Sequence, residues 1–306
     1  MLTIIIKKSW AEIWRHKKLW GLGILTSFLG TVEESELVRN ISYRNGQQFF
    51  VNFLVQLKET RLFTQTGIQG LVRVATHEPL TFMRIIFFLL LVLSVLGVGI
   101  WLSIVAQGGI VTAVGKNRDL KNSNLRMLLA PGIKKFWPLA GLNLAGKSLT
   151  IALFFIAAIG LRAPWYIAIP VLGGVGLAVI GTFSLIKLSL CERMLHSDRL
   201  IPALNRGWQM TRWAWRQCLG LAVTLMIITI LILTTGFFLV LVVFIPFFFI
   251  LAAAFLLKFV FGLIFILLLF SLMAFVFVAG LFGFLSALSW SAWTRLYQEL
   301  SAHPKI

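Results

Sequence analysis

Side chains that could carry chemistry are few in this sequence, and they do not gather. The four histidines, His16, His77, His196 and His303, are far apart and have no metal-ligand spacing. No phosphate-cradling loop of the GxxxxGK[ST] kind occurs, and Gly21-Leu22-Gly23 and Gly97-Val98-Gly99 read as packing fragments. Four acids fall in basic segments: Glu12, Asp119, Glu192 and Asp198. They are placed as helix-end or salt-bridge partners rather than as an acid–base pair. The expectation is a protein that is not an enzyme, with no catalytic residue, no metal site and no cofactor.

The remaining polar candidates lie inside apolar segments. Lys147 is about ten residues into one such segment, with Asn143 one helical turn before it on the same face. A lysine at that depth must pair, reach the surface along its own stem, or face water. Lys258 lies twelve residues beyond Pro246, and Lys187 is close enough to the end of its segment to reach the surface. Snorkelling is one reading of Lys147; the other is a site for an anionic headgroup or substrate. The apolar segments hold no Asp or Glu, which weighs against a proton- or cation-driven transporter.

The elements that must position these residues are membrane helices. Of 306 residues 59% are hydrophobic and only 12% charged, with a mean hydropathy of +0.94. Soluble domains run to about 45–50% apolar and about 25% charged, so this chain must use lipid as part of its solvent. Ile85–Ala106 has 22 residues without a charge. Pro138–Gly160 and Pro164–Leu190 form a helical hairpin joined by a short turn. Leu219–Trp293 is long enough for two spans, with Pro246 as the expected break. Leu19–Val32 is short, but it opens with a phrase that recurs before a full span. The expectation is an all-α, polytopic membrane bundle of about six spans plus amphipathic interfacial helices, forming a single membrane domain over 1–306; five spans is the alternative.

That phrase is KKLW, Lys17–Trp20, and its near-copy KKFW, Lys134–Trp137. A looser third version pairs Leu125–Gly132 (LRMLLAPG) with Leu200–Gly207 (LIPALNRG), each followed by basic residues and tryptophan; aligning it needs a shift of about one helical turn. An amphipathic helix with lysine or arginine toward phosphates and indoles at headgroup depth would turn there into the bilayer. This points to lipid-headgroup contacts by Lys17, Lys18, Trp20, Lys134, Lys135, Trp137, Arg212 and Arg216. An ordinary aromatic belt with topology-setting cations is the plainer reading of the same residues.

Orientation follows from charge. The net charge is +18. The arm up to Lys18 carries five Lys/Arg, the 115–136 loop six and the 191–217 loop five, against one in 161–163. The positive-inside rule puts the first three segments, and with six spans both termini, in the cytoplasm. No nucleic-acid-binding motif competes for the basic charge. Residues 33–84 form an insertion between spans 1 and 2, with Phe49, Phe50, Phe53, Leu54 and Leu57 at helical spacing, and it reads as amphipathic helices on the membrane. Ala279, Gly283, Ala287 and Ser291 recur every four residues in the last span, a small-residue ridge for helix packing or for a second copy or partner membrane protein.

The Trp14–Gly23 stretch (WRHKKLWGLG), Gly132–Leu139 (GIKKFWPL) and Ala203–Trp208 (ALNRGW) resemble bacterial six-span membrane proteins that include the membrane domain fused to some glycerophosphoryl diester phosphodiesterases. The resemblance implies a membrane module of the bacterial inner membrane and not the phosphodiesterase activity, which belongs to a separate soluble domain. The functional expectation is a lipid-interacting scaffold or accessory subunit; the alternative is a transporter or flippase for an amphipathic anion that passes Asn143 and Lys147.

Overall fold

The computed structural model describes residues 1–27, 69, 73, 75–116, 124–160, 164–196, 199–256 and 260–302. Among the described residues there are nine helices: α1 (Leu2–Arg15), α2 (Lys18–Ser27), α3 (Pro79–Gly115), α4 (Leu125–Lys134), α5 (Phe136–Gly160), α6 (Trp165–Leu195), α7 (Leu200–Trp213), α8 (Trp215–Leu256) and α9 (Val260–Ser301). No strand occurs among them.

Five of these, α3, α5, α6, α8 and α9, are long and apolar enough to cross a membrane, and the protein is an all-α, multi-pass membrane bundle. Helix α2 is described only to Ser27, ten residues, so whether a sixth crossing completes lies outside the described residues. The expected amphipathic helices around Phe49–Leu57 also lie outside them, as do Lys258, Asp119, Asp198 and His303.

One expectation is corrected. Pro246 does not end a span: α8 continues through it to Leu256, and the next helix, α9, is described from Val260. Proline removes one backbone donor, whereas ending a helix in hydrocarbon would strand several backbone groups, so the helix persists.

The chain divides into two compact units, Met1–Ser35 with Leu102–Ile306, and Glu36–Trp101. The first contains the core. Three stretches there are buried on every side: Ser103–Val114 of α3, Lys187–Met194 of α6 and Gly283–Thr294 of α9. A helix segment buried all round is surrounded by other helices. The surrounding is done largely by the short amphipathic helices, which bury one stripe each: Ile5, Ser9 and Ile13 on α1, Leu128 and Gly132 on α4, Ala203, Gly207 and Met210 on α7.

Each short helix lies against one of the three buried ends, then hinges into the next helix. A Cβ on Gly132 would collide with the Val105 carbonyl of α3, and one on Gly207 with Ser189 of α6. Glycine is what allows the backbones to come so close. Helix α1 is pinned to α9 by Glu12, whose carboxylate receives Arg295 Nη2 at 2.5 Å and Nε at 3.2 Å. The hinges at Lys135 (φ −110°, ψ 23°) and Ala214 (φ −103°, ψ 28°) have nearly the same backbone shape; His16 (φ −116°, ψ 82°) is more open. At Lys135 the cause is visible. Pro138, four residues after Lys134, denies that carbonyl its helical partner and crowds it, while its missing N–H costs nothing in the first turn of α5.

Candidate functional site

The strongest concentration of polar groups is a seam between α6 and α9, both otherwise apolar. Lys187 donates from Nζ to Ser289 Oγ at 2.7 Å. Its ammonium also stands 4.4 Å from the Phe183 ring centre and 4.6 Å from that of Trp290. It is only 2% exposed, so the expectation that it reaches the surface is overturned. A hydroxyl and two aromatic faces replace water around the charge, a stabilisation that strengthens as the site is desolvated.

One turn further along, Cys191 Sγ and Thr294 Oγ1 are 3.8 Å apart. Beyond them Tyr297 donates its hydroxyl to Glu192 Oε2, Arg206 approaches Glu192 Oε1 at 3.4 Å, and His196 Nδ1 lies 2.7 Å from the Tyr297 oxygen. Because the tyrosine proton is given to the carboxylate, the imidazole donates, which assigns its proton to Nδ1. Both Glu192 oxygens are thus held by donors. That arrangement anchors α6, α7 and α9 together; it does not present a base to a substrate. Among the described residues no three of His, Cys, Asp and Glu gather as a metal site would require.

Asn143 is buried, and its Nδ2 donates to Gln107 Oε1 at 2.9 Å and to the Leu139 carbonyl at 2.9 Å. Its amide thus ties α5 to α3, an interhelical bond of the kind that joins membrane helices. Lys147, one turn on, is half-buried. Between them Gly146 brings α5 against Ile186 of α6.

The residues expected at lipid headgroups divide into two groups. Lys17, Lys18, Lys134, Arg212 and Arg216 are exposed, as is Trp137, at 81%. Arg216 lies over the Trp215 ring at 5.4 Å. Lys135 and Trp20 turn inward. Lys135 Nζ donates to the Arg193 carbonyl in the last turn of α6 at 3.0 Å, where an ammonium suits the negative end of the helix. Trp20 Nε1 donates to the Ile13 carbonyl at 3.0 Å, satisfying a group that the end of α1 leaves open. So the two copies of the phrase are not used alike. KKLW opens α2, whereas in KKFW Lys134 closes α4, Lys135 is the hinge and Phe136 opens α5.

The small-residue ridge of α9 receives α2. A Cβ on Gly23 would strike the Gly283 carbonyl and crowd Ala287, and one on Gly283 would strike Ile24. Nearby Thr26 Oγ1 bonds to Ser286 Oγ, and Ser103 Oγ donates to the Thr26 carbonyl at 2.8 Å. Ser291 is buried in the same packed region and Ala279 lies half-buried toward its edge.

Sequence reading passed over Gln107, Ser289 and Tyr297. The one available signal was a run of polar positions, Ser286, Ser289, Ser291, Thr294 and Tyr297, late in an otherwise apolar segment.

Comparison with known proteins adds no relative: no family model, curated protein or solved structure matches the chain.

Proposed function

We propose that this multi-pass membrane protein is a lipid-engaging scaffold or accessory subunit. In this reading α1, α4 and α7 lie on the cytoplasmic leaflet of a bacterial-type inner membrane and hold anionic headgroups. The supporting observation is a threefold arrangement: a short amphipathic helix seated on a buried helix end, then a hinge, then the next apolar helix. Exposed indoles and cations cluster around each hinge: Trp14 at 61% with Lys17 and Lys18, Trp137 with Lys134, and Trp208 at 53% with Arg212 and Arg216. An indole left that exposed has its apolar body available to lipid and its N–H available to the headgroup region.

The rival reading, a flippase passing an anion along Asn143 and Lys147, requires Asn143 to meet substrate. Its amide is already engaged by Gln107 and by its own helix.

Each cation near an anionic surface contributes about 1 kcal/mol. Replacing Lys17, Lys18, Lys134, Arg212 and Arg216 together by Gln removes exposed charge without touching the bundle's internal bonds at Lys135. The variant should retain phosphatidylglycerol at least tenfold less than wild type after purification in neutral detergent, measured by lipid extraction and mass spectrometry. Equal retention contradicts the proposal.

A further inference from the structure

Helix α1 carries a feature that a general basic surface does not need. An open cleft of about 600 Å³ is lined by Trp10, Ala11, Trp14 and Arg15. These four residues form one patch of α1, since positions three and four apart are neighbours on a helix: Trp10 with Trp14, Ala11 with Trp14 and Arg15. Ala11 leaves the gap between the indoles and the guanidinium. Three indoles from two helices, Trp10 and Trp14 of α1 and Trp20 of α2, pack on the buried Phe284 of α9. Its ring centre is 4.8 Å from Trp10, 6.2 Å from Trp14 and 5.2 Å from Trp20, and Trp14 lies 5.6 Å from Trp20.

We infer that this cleft binds one anionic phospholipid, its phosphate on Arg15 and its chains across Trp10 and Trp14. The inference rests on the lipid-engaging reading above and narrows it to a single site.

Three observations select this occupant. The charge around the cleft is positive: Lys7 and Lys8 lie about one turn before Ala11, Arg15 one turn after it, and the nearby Glu12 carboxylate is occupied by Arg295. The lining is mostly apolar, which suits an acyl chain, and Arg15 is the one charged group among the four lining residues, so a free phosphate would meet a single ionic partner there. Finally, Phe284 stands where α9 changes from its buried stretch to a lipid-exposed one, with Phe275, Val276 and Val278 exposed just before it. The indoles that line the cleft thus pack on α9 next to its exposed apolar stretch. Its size is within the range of about 300–1,000 Å³ typical of small-molecule sites.

The test is native mass spectrometry of the full chain in neutral detergent, titrated with phosphatidylglycerol, with phosphatidylcholine of the same chains, or with inorganic phosphate. The first phosphatidylglycerol should bind about tenfold tighter than the first phosphatidylcholine, and phosphate should not displace it. Arg15→Gln should remove that preference, and Trp14→Ala should weaken both lipids about fivefold, with Trp14→Phe restoring them. Arg84→Gln, at an exposed cation of α3 that is part of neither the cleft nor the hinges, should leave the first lipid unchanged. Wild-type affinity in Arg15→Gln, displacement by phosphate, or equal weakening by Arg84→Gln each overturns the cleft. If Arg15→Gln binds normally while the fivefold Gln variant loses its lipid, the cleft is wrong and the scaffold reading stands. A wild type with no preference for phosphatidylglycerol overturns the scaffold reading itself.

Discussion

At the residue scale, the buried polar groups hold helices together in pairs. Tyr297 is the most consequential, because its one hydroxyl joins His196 to Glu192 while Glu192 also receives Arg206. Tyr297→Phe leaves a buried carboxylate oxygen without its donor, at a cost of about 1–3 kcal/mol. The expected result is a lower midpoint of thermal unfolding in detergent with unchanged lipid retention; an unchanged midpoint means the bond contributes nothing. How much of this could be read beforehand differs by residue. Glu192 could be assigned as a salt-bridge partner from its basic surroundings, and Asn143 only as a polar position on the face of Lys147. Their partners could not, because Lys187 and Ser289 are 102 positions apart and no spacing rule relates two different helices. Lys187 misled for a related reason: its distance from the segment end permitted escape to the surface, and only the facing Phe183, Trp290 and Ser289 made an inward position favourable.

At the scale of elements, the hinge is the recurring unit. Ser9 precedes the His16 hinge by seven residues and Gly207 precedes that at Ala214 by seven, whereas Gly132 precedes Lys135 by three, one helical turn less. The offset matches the one-turn shift needed to align the third version of the phrase. The small residue is the working part, since it lets the short helix approach the buried helix end. The same logic governs α2, where Gly23 meets Gly283 backbone to backbone. Gly23→Val introduces atoms where a carbonyl already stands, and overpacking of this kind typically costs about 1–3 kcal/mol. Thermal unfolding should fall accordingly, while Gly21→Ala, at a site with open space, should be neutral. A neutral Gly23→Val would mean that α2 does not pack on the ridge. Apolar lengths made the long helices legible, and paired cations with tryptophan marked the hinges. Pro246 was misjudged because proline's local effect was weighed without the larger penalty of opening a helix in lipid.

At the scale of the whole molecule, order and exposure are unevenly distributed along the long helices. Helices α8 and α9 each have 42 residues, about 63 Å at the usual rise, against a hydrocarbon thickness of about 30 Å. Their buried parts lie at one end, and much of the rest is exposed apolar surface, including Phe237, Phe238, Val242, Phe248 and Phe249 on α8 and Phe265, Leu268, Phe275 and Val278 on α9. Such lengths are accommodated by tilt and local thickening of the bilayer. Composition alone established that the chain is membrane-embedded and helical. The gathering of α1, α4 and α7 around three helix ends needed coordinates, because it depends on which surfaces the long helices leave open. In the proposed arrangement these three short helices share one leaflet. Single cysteines at Lys8, Arg126 and Gln209, introduced into a Cys191→Ser, Cys218→Ser background, test it most directly when treated with a membrane-impermeant maleimide in oriented vesicles. All three should label from the same side, and a cysteine at Tyr166 from the other. Labelling of any of the three from the side that reaches residue 166 contradicts the account.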